Sequence, residues 1–257
     1  MSADPVLALP TAPTPTDLSA PAATPPAALA EHDVHLWRLR LNPPVDGLAE
    51  LARNLSPDER ERAARFRFER DRARFTAARG LLRSLLADYL ARPADQLRFV
   101  YGPRGKPALA PMCNPVGLRF NLAHADGLAV YAIARHREVG VDLERVRPIH
   151  DMHLVAARCF SIRECAQLRS LPRHLQTPAF FNGWTRKEAV LKALGEGVAT
   201  EVRRVEVALL PGEPARLLNL DNDPARAAEW TLADFDAGPG LAAALAVQGS
   251  GFRVVLQ

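Results

Sequence analysis

Apolar and polar positions alternate or recur at helical spacing in ways that divide most of the chain into elements. Val34 to Leu39 alternates and is predicted as a strand. Ser56, Pro57 and Glu59 stand as N-cap, first helical residue and capping-box partner, which predicts a helix start. From Phe75 to Leu90, Leu81, Leu82, Leu85, Leu86 and Leu90 share one side of a predicted core helix. Beyond Pro93 the runs shorten: Leu97 to Tyr101, a turn from Gly102 to Pro107, and Leu118 to Asn121. Leu128 to Ile133 and Val139 to Val146, separated by the turn-like residues Arg135 to Arg137, read as a β-hairpin.

From Ile149 the pattern partly restarts, with Leu154 to Phe160, a helix from Ser161 to Leu171 and another from Phe180 to Leu194 that ends at Gly195. Strands follow at Val202 to Leu210, Glu229 to Asp234, Leu241 to Val247 and Phe252 to Leu256. No strong internal repeat is visible. Residues 1–31 are dominated by Ala, Pro and Thr with few large apolar side chains, a composition that cannot build a core and predicts a disordered tail.

Composition narrows the class. With 257 residues, 48% hydrophobic and 24% charged, the chain is of an ordinary globular type. It has no apolar run of membrane-spanning length and no secretion signal, so no membrane association and a cytoplasmic location are expected. Cys113, Cys159 and Cys165 lack Cys-x-x-Cys spacing, so neither a disulfide framework nor a zinc site is predicted. His150 and His153 have no third ligand at a recognised spacing and are read as loop residues.

The net charge is only +4, but Arg53 to Arg83 holds ten arginines against Asp58, Glu59, Glu61, Glu69 and Asp71, with Glu50 just upstream. Such a stretch suits a solvated helix face, a nucleic-acid surface, or a phosphate pocket with a rim for an acidic protein. Composition does not choose among these.

Two segments about 45 residues apart carry the sharpest chemistry. Val139-Gly140-Val141-Asp142-Leu143-Glu144 puts two carboxylates on one face of a strand. Trp184-Thr185-Arg186-Lys187-Glu188-Ala189-Val190-Leu191-Lys192 puts Glu188 and Lys192 on one face of a helix. Docking that helix on that strand would bring three carboxylates and a lysine together. Carboxylate oxygens without Cys or His suit a hard cation such as magnesium, shared with substrate phosphates. Separately, the segments could as well be an ordinary surface ion pair and a capped hairpin.

The pattern Gly-Val-Asp-x-Glu followed, some forty residues on, by Trp-Thr-x-Lys-Glu-Ala-x-x-Lys resembles the signature of the 4′-phosphopantetheinyl transferases, of the longer two-halved Sfp type. Ser56 to Arg83, Tyr101-Gly102-Pro103-Arg104-Gly105-Lys106-Pro107 and Phe120-Asn121-Leu122-Ala123-His124 fall in the order that family uses, so the resemblance spans about residues 35 to 210. It implies an α+β fold of two similar α/β halves related by a pseudo-twofold axis, with the active site in the cleft between them. The halves are placed at 32–140 and 141–257. A monomer is expected, because such a chain supplies its own cleft.

The implied reaction moves the phosphopantetheine arm of coenzyme A to a serine of an acidic apo acyl or peptidyl carrier protein and releases adenosine 3′,5′-bisphosphate. The resemblance implies that Asp142, Glu144 and Glu188 hold magnesium at the pyrophosphate, with Lys192 on the same phosphates. Glu188 is the first choice as general base and Lys192 the second; a lysine beside a phosphate keeps its charge, which favours an electrostatic role. His124, Arg62 and Arg74 are implied contacts of the 3′-phosphate, with Arg79 competing with Arg74, and Lys106 is implied near the adenine. Ala123 stands where the family usually has serine, so one phosphate hydrogen bond is expected to be missing or replaced by water. Lys187 is placed in support of the site or at the carrier rim, and Trp184 as a packing residue.

Two other classes use parts of the same residues. A metal-dependent phosphohydrolase would need the carboxylates but not Lys106, His124 and the arginine-rich helix. A nucleic-acid-binding module would use Arg53 to Arg83 and leave the carboxylates idle.

Overall fold

The computed structural model describes residues 29–196 and 202–257. The predicted N-terminal tail therefore lies almost wholly outside the described residues. The first half opens with β1 (Asp33–Arg40), α1 (Val45–Arg53), α2 (Pro57–Ala64) and the 22-residue α3 (Glu69–Leu90). It continues through the short pair β2 (Phe99–Tyr101) and β3 (Pro107–Leu109) to β4 (Leu118–Ala125) and β5 (Leu128–Arg135). Then follow β6 (Val139–Arg145), α4 (Met152–Cys159), α5 (Ile162–Ser170) and a second 22-residue helix, α6 (Arg173–Leu194). The chain closes with β7 (Val205–Val207), β8 (Leu217–Leu220), α7 (Pro224–Ala227), β9 (Trp230–Asp234), β10 (Leu241–Gln248) and β11 (Arg253–Leu256).

Two sheets form the centre: β11-β1-β5-β4, and β6-β10-β9. Alternation of side chains sorts their faces. Leu128, Val130, Ala132 and Ala134 of β5 meet Val139, Val141 and Leu143 of β6 and Ala243, Leu245 and Val247 of β10 in a core between the sheets. The opposite side of β5, with Ala129, Tyr131 and Ile133, packs under Ala77, Leu81, Leu82 and Leu85 of α3. Ala244 and Ala246 of β10 likewise lie under Ala189, Val190 and Ala193 of α6. Each sheet, antiparallel except for the parallel β1–β11 pair, is thus backed by one long helix, and β5 is apolar on both faces because both are covered.

β6 does not pair with β5 as the predicted hairpin. β5 is held between β1 and β4, and β6 crosses to the other sheet, where it pairs antiparallel with β10. The apolar run of β5 already has two ladder partners, so the turn at 136–138 carries the chain across rather than back. Leu154 to Phe160 falls mostly in the helix α4, and the predicted strand at Val202 to Leu210 reduces to the short β7 after a 3₁₀ turn.

α6 starts at Arg173 rather than at Phe180 and runs through Pro178. A proline removes one i→i−4 bond and clashes with the preceding turn, which is why sequence reasoning starts the helix after it. Here the buried face from Ala179 to Ala193 offsets that loss. The predicted cap of α2 is present, with the Ser56 N–H donating to Glu59 Oε2 at 3.0 Å. The same buried Glu59 carboxylate binds Arg83 at 2.6 Å and Arg79 at 3.2 Å, fixing α2 to α3. Cys113, Cys159 and Cys165 are free thiols.

Candidate active site

Gly140 determines how α6 meets β6. A Cβ at this position would lie 2.0 Å from the carbonyl oxygen of Ala189 and 2.4 Å from the amide nitrogen of Ala193, so only glycine lets the helix backbone lie on the strand. With that contact made, the even face of β6 offers Asp142 and Glu144 to the face of α6 that carries Glu188 and Lys192. Lys192 Nζ donates to Asp142 Oδ1 at 2.6 Å. Trp184, one turn before Glu188, donates its indole N–H to Glu144 Oε1 at 3.4 Å, so it orients a carboxylate as well as packing.

These carboxylates repel one another across a dry site. Burial raises the pKa of Asp142, against the pull of Lys192. Burial and the Asp142 charge raise Glu144. Glu188, 4% exposed, is pushed up to about 7 by burial and then by Asp142 and Glu144, with Lys192 opposing. Asp142 Oδ2 and Glu188 Oε1 are buried acceptors with no donor among the described residues. The three carboxylates do not close into a cage: among the described residues no three His, Cys, Asp or Glu side chains stand in a geometry that could hold a metal ion by themselves. One Asp142 oxygen is already taken by the Lys192 ammonium.

A cleft of about 440 Å³ lies against the first half, lined among others by Arg62, Phe66, Arg74, Phe75, Asn121 and His124. Arg62 stacks over the Phe75 ring at 5.4 Å. Arg74 is half-buried, and its Nε has no acceptor among the described residues. His124 has its pKa lowered by burial and by the positive charges of Lys192 and Arg74, which places it within electrostatic reach of both the cleft and the carboxylate site. Arg79 also lines the cleft, but its guanidinium is committed to Glu59 and donates to the Tyr101 hydroxyl at 3.3 Å. The arginine-rich segment is therefore divided. Arg79 and Arg83 are buried in ion pairs, Arg62 and Arg74 face the cleft, and Arg53, Arg60, Arg65, Arg67, Arg70 and Arg72 are solvated.

Two further lysines turn inward. Lys106 turns away from the cleft: its Nζ reaches Glu138 Oε2 at 2.8 Å, the Ala193 carbonyl at 2.7 Å and the Val139 carbonyl at 3.4 Å, and burial lowers its pKa. Its neighbours Gly105 and Pro107 line the cleft instead. Lys187 is fully buried, paired with Glu164 at 2.8 Å and donating to the Val205 carbonyl, so it supports the fold around α6 and belongs to no rim. Nothing in the pattern of alternating residues distinguishes it from the exposed lysines that usually flank such motifs. The Ala123 side chain points into the core between the sheets and not into the cleft.

The family model described as the 4′-phosphopantetheinyl transferase superfamily matches residues 138–246, and that described as 4′-phosphopantetheinyl transferase, N-terminal, matches residues 40–136. A 4′-phosphopantetheinyl transferase of Nostoc sp., HetI, is 43% identical over 229 residues, covering 89% of this chain and 93% of the relative. The human L-aminoadipate-semialdehyde dehydrogenase-phosphopantetheinyl transferase is 32% identical over 177 residues, 66% of this chain and 55% of the relative. The Bacillus pumilus 4′-phosphopantetheinyl transferase psf-1 is 34% identical over 145 residues, 56% of this chain and 60% of the relative. The chain belongs to the 4′-phosphopantetheinyl transferase superfamily and is an enzyme of phosphopantetheinyl transfer.

Proposed function

We propose that this enzyme takes phosphopantetheine from coenzyme A and places it on a serine hydroxyl of an apo acyl or peptidyl carrier protein, with magnesium as cofactor. The observation that carries the reading is the juxtaposition, across His124, of a cationic cleft holding Arg62 and Arg74 with the buried cluster of Asp142, Glu144, Glu188 and Lys192. The cleft suits a nucleotide bearing a 3′-phosphate, and the cluster suits the pyrophosphate next to it. A phosphohydrolase would leave the cationic cleft without a task, and a nucleic-acid module would leave the carboxylates without one.

The donor set fits magnesium. Among the described residues Asp142 Oδ2 and Glu188 Oε1 are buried without donors and Glu144 stands beside them, so these three would hold magnesium, an ion that takes a few carboxylates together with water and phosphate oxygens. When bound, it would neutralise charge developing on the phosphate oxygens. Glu188, on the face of α6 turned to the cluster, accepts the proton of the serine hydroxyl as the serine oxygen attacks the phosphorus bearing the pantetheine. The bond from that phosphorus to the bridging oxygen breaks, and adenosine 3′,5′-bisphosphate leaves. Lys192, fixed beside Asp142, stabilises the same phosphates. Arg62, Arg74 and His124 hold the 3′-phosphate; Lys106 serves by anchoring the β2–β3 turn at the nucleotide side.

The face beside the cluster supports an acidic protein partner. Leu154, Val155 and Ile162 are exposed on α4 and α5 with Arg158, Arg163 and Arg169, whereas the one acid in these two helices, Glu164, is buried. α4 and α5 pack against α6, the helix that carries Glu188 and Lys192. No helix among the described residues is long and apolar enough to cross a membrane. The reading includes a monomer acting in the cytoplasm, with halves 32–140 and 141–257. Intact-mass measurement of an apo carrier protein incubated with coenzyme A, magnesium and the enzyme tests it. A gain of one phosphopantetheine, lost with a chelator, is expected; no gain across several carrier types would overturn it.

A further inference from the structure

The two sheets approach along the edges of β4 and β6, yet among the described residues no backbone ladder joins them. β6 has β10 on one side. Alternate residues of a strand present their N–H and C=O groups to the same edge, and Val139 and Val141 turn theirs toward the first sheet. There the Val141 N–H donates to Asn121 Oδ1 at 2.9 Å, a fully buried bond, and the Val139 carbonyl accepts from Lys106 at 3.4 Å. Side chains stand where a neighbouring strand would otherwise supply partners. Asn121 is the more rigid of the two: its side chain is short, it is 9% exposed, and its backbone is registered against Ala132 of β5.

The position of this bond gives it a consequence for chemistry. Asn121 lines the cleft and lies three residues before His124 on β4, while Val141 immediately precedes Asp142 on β6. One hydrogen bond therefore ties the strand that carries the His124 imidazole of the cleft to the strand that carries two of the carboxylates. We propose that Asn121 is a positioning residue for phosphopantetheinyl transfer: its amide carbonyl fixes the register of the His124 strand against the Asp142 strand. The grip on the nucleotide and the groups around the reacting phosphorus then keep one separation. The inference rests on the functional reading above. A shift of about 1 Å between binding groups and reacting groups can cost about 100-fold in rate, so one joint of this kind can control turnover without contributing much to affinity.

Asn121→Ala removes the joint, and Asn121→Asp keeps an acceptor of the same length for the Val141 N–H. Three measurements separate positioning from mere folding: amide exchange at Val141 by NMR, calorimetric affinity for adenosine 3′,5′-bisphosphate, which lacks the attacked phosphorus, and kcat with coenzyme A and a carrier protein. In Asn121→Ala, exchange at Val141 should quicken and kcat should fall about tenfold or more while nucleotide affinity stays within about threefold, and Asn121→Asp should restore slow exchange and recover most of kcat. Unchanged kcat in Asn121→Ala would overturn the proposal. So would equal losses of affinity and kcat with no recovery in Asn121→Asp. Absence of transfer by the wild-type protein would instead overturn the functional reading and, with it, the role assigned to Asn121.

Discussion

Lys192 and Asp142 form an ion pair of 2.6 Å in which the carboxylate is nearly sealed from water and the ammonium is about one-third open, at 7% and 30% side-chain exposure. The lysine thus compensates a buried charge on one side and can meet an incoming phosphate on the other.

Replacing Lys192 by methionine strands the Asp142 carboxylate. Breaking a partly buried pair from one side should cost about 1–3 kcal/mol of stability at pH 8, measured by denaturant unfolding. Transfer should fall about 100-fold or more, because the same ammonium is assigned to the phosphates. Loss of stability with full turnover would remove Lys192 from the chemistry.

Glu188→Gln should abolish transfer yet raise stability at alkaline pH. The folded-state pKa of Glu188, about 7, lies above its ordinary value, so between those two values the folded protein binds the extra proton. Stability contributed by Glu188 is then fully present below the unfolded pKa and is lost as pH rises through 7. The variant, which never pays this loss, should exceed wild type by about 1–3 kcal/mol at pH 8, with the difference fading below about pH 5. An identical pH profile for the two proteins would mean the carboxylate is not held in a dry, anionic setting.

Arg74 and Arg79 should separate by phenotype. Arg74, which lines the cleft and whose Nε has no acceptor among the described residues, is assigned to the nucleotide, and Arg74→Ala should raise KM for coenzyme A about tenfold or more at unchanged melting temperature. Arg79 is bound to Glu59, so Arg79→Ala should lower stability by about 2 kcal/mol or more. The reverse pattern would exchange the two assignments.

Gly140→Ala tests the helix–strand contact. The added methyl would need space held by the backbone of Ala189 and Ala193, so α6 must move off β6. A destabilisation of about 1–3 kcal/mol is expected from overpacking, together with a loss of transfer larger than that of Glu144→Gln, since Glu188 and Lys192 shift together. Retained activity would show that α6 position is not what sets the site.

Much of this was legible in the sequence where a signal is local. The cap at Ser56 to Glu59, the face shared by Asp142 and Glu144, and the helix bearing Glu188 and Lys192 follow from spacing alone, and their approach follows once Gly140 is seen as a contact point. What escaped depends on tertiary partners. The pairing of β6 with β10 is decided a hundred residues further along the chain. The inward turn of Lys106 depends on a carbonyl of Ala193 and a carboxylate of Glu138, and the burial of Lys187 on Glu164; no periodicity encodes these. Pro178 inside α6 is a case where tertiary packing overrides a strong local rule.

β11 adds a parallel strand to β1, with Asp33 to Leu36 opposite Arg253 to Leu256, and Arg253 is tied to Asp33 at 3.0 Å. The outer edge of the first sheet is therefore supplied from about two hundred residues further along the chain. During synthesis, β1 is made more than two hundred residues before β11, and that edge of the first sheet stays open until β11 has emerged. The hazard is thus one of timing: until β11 docks, the unpaired edge of β1 is open to a strand of another chain.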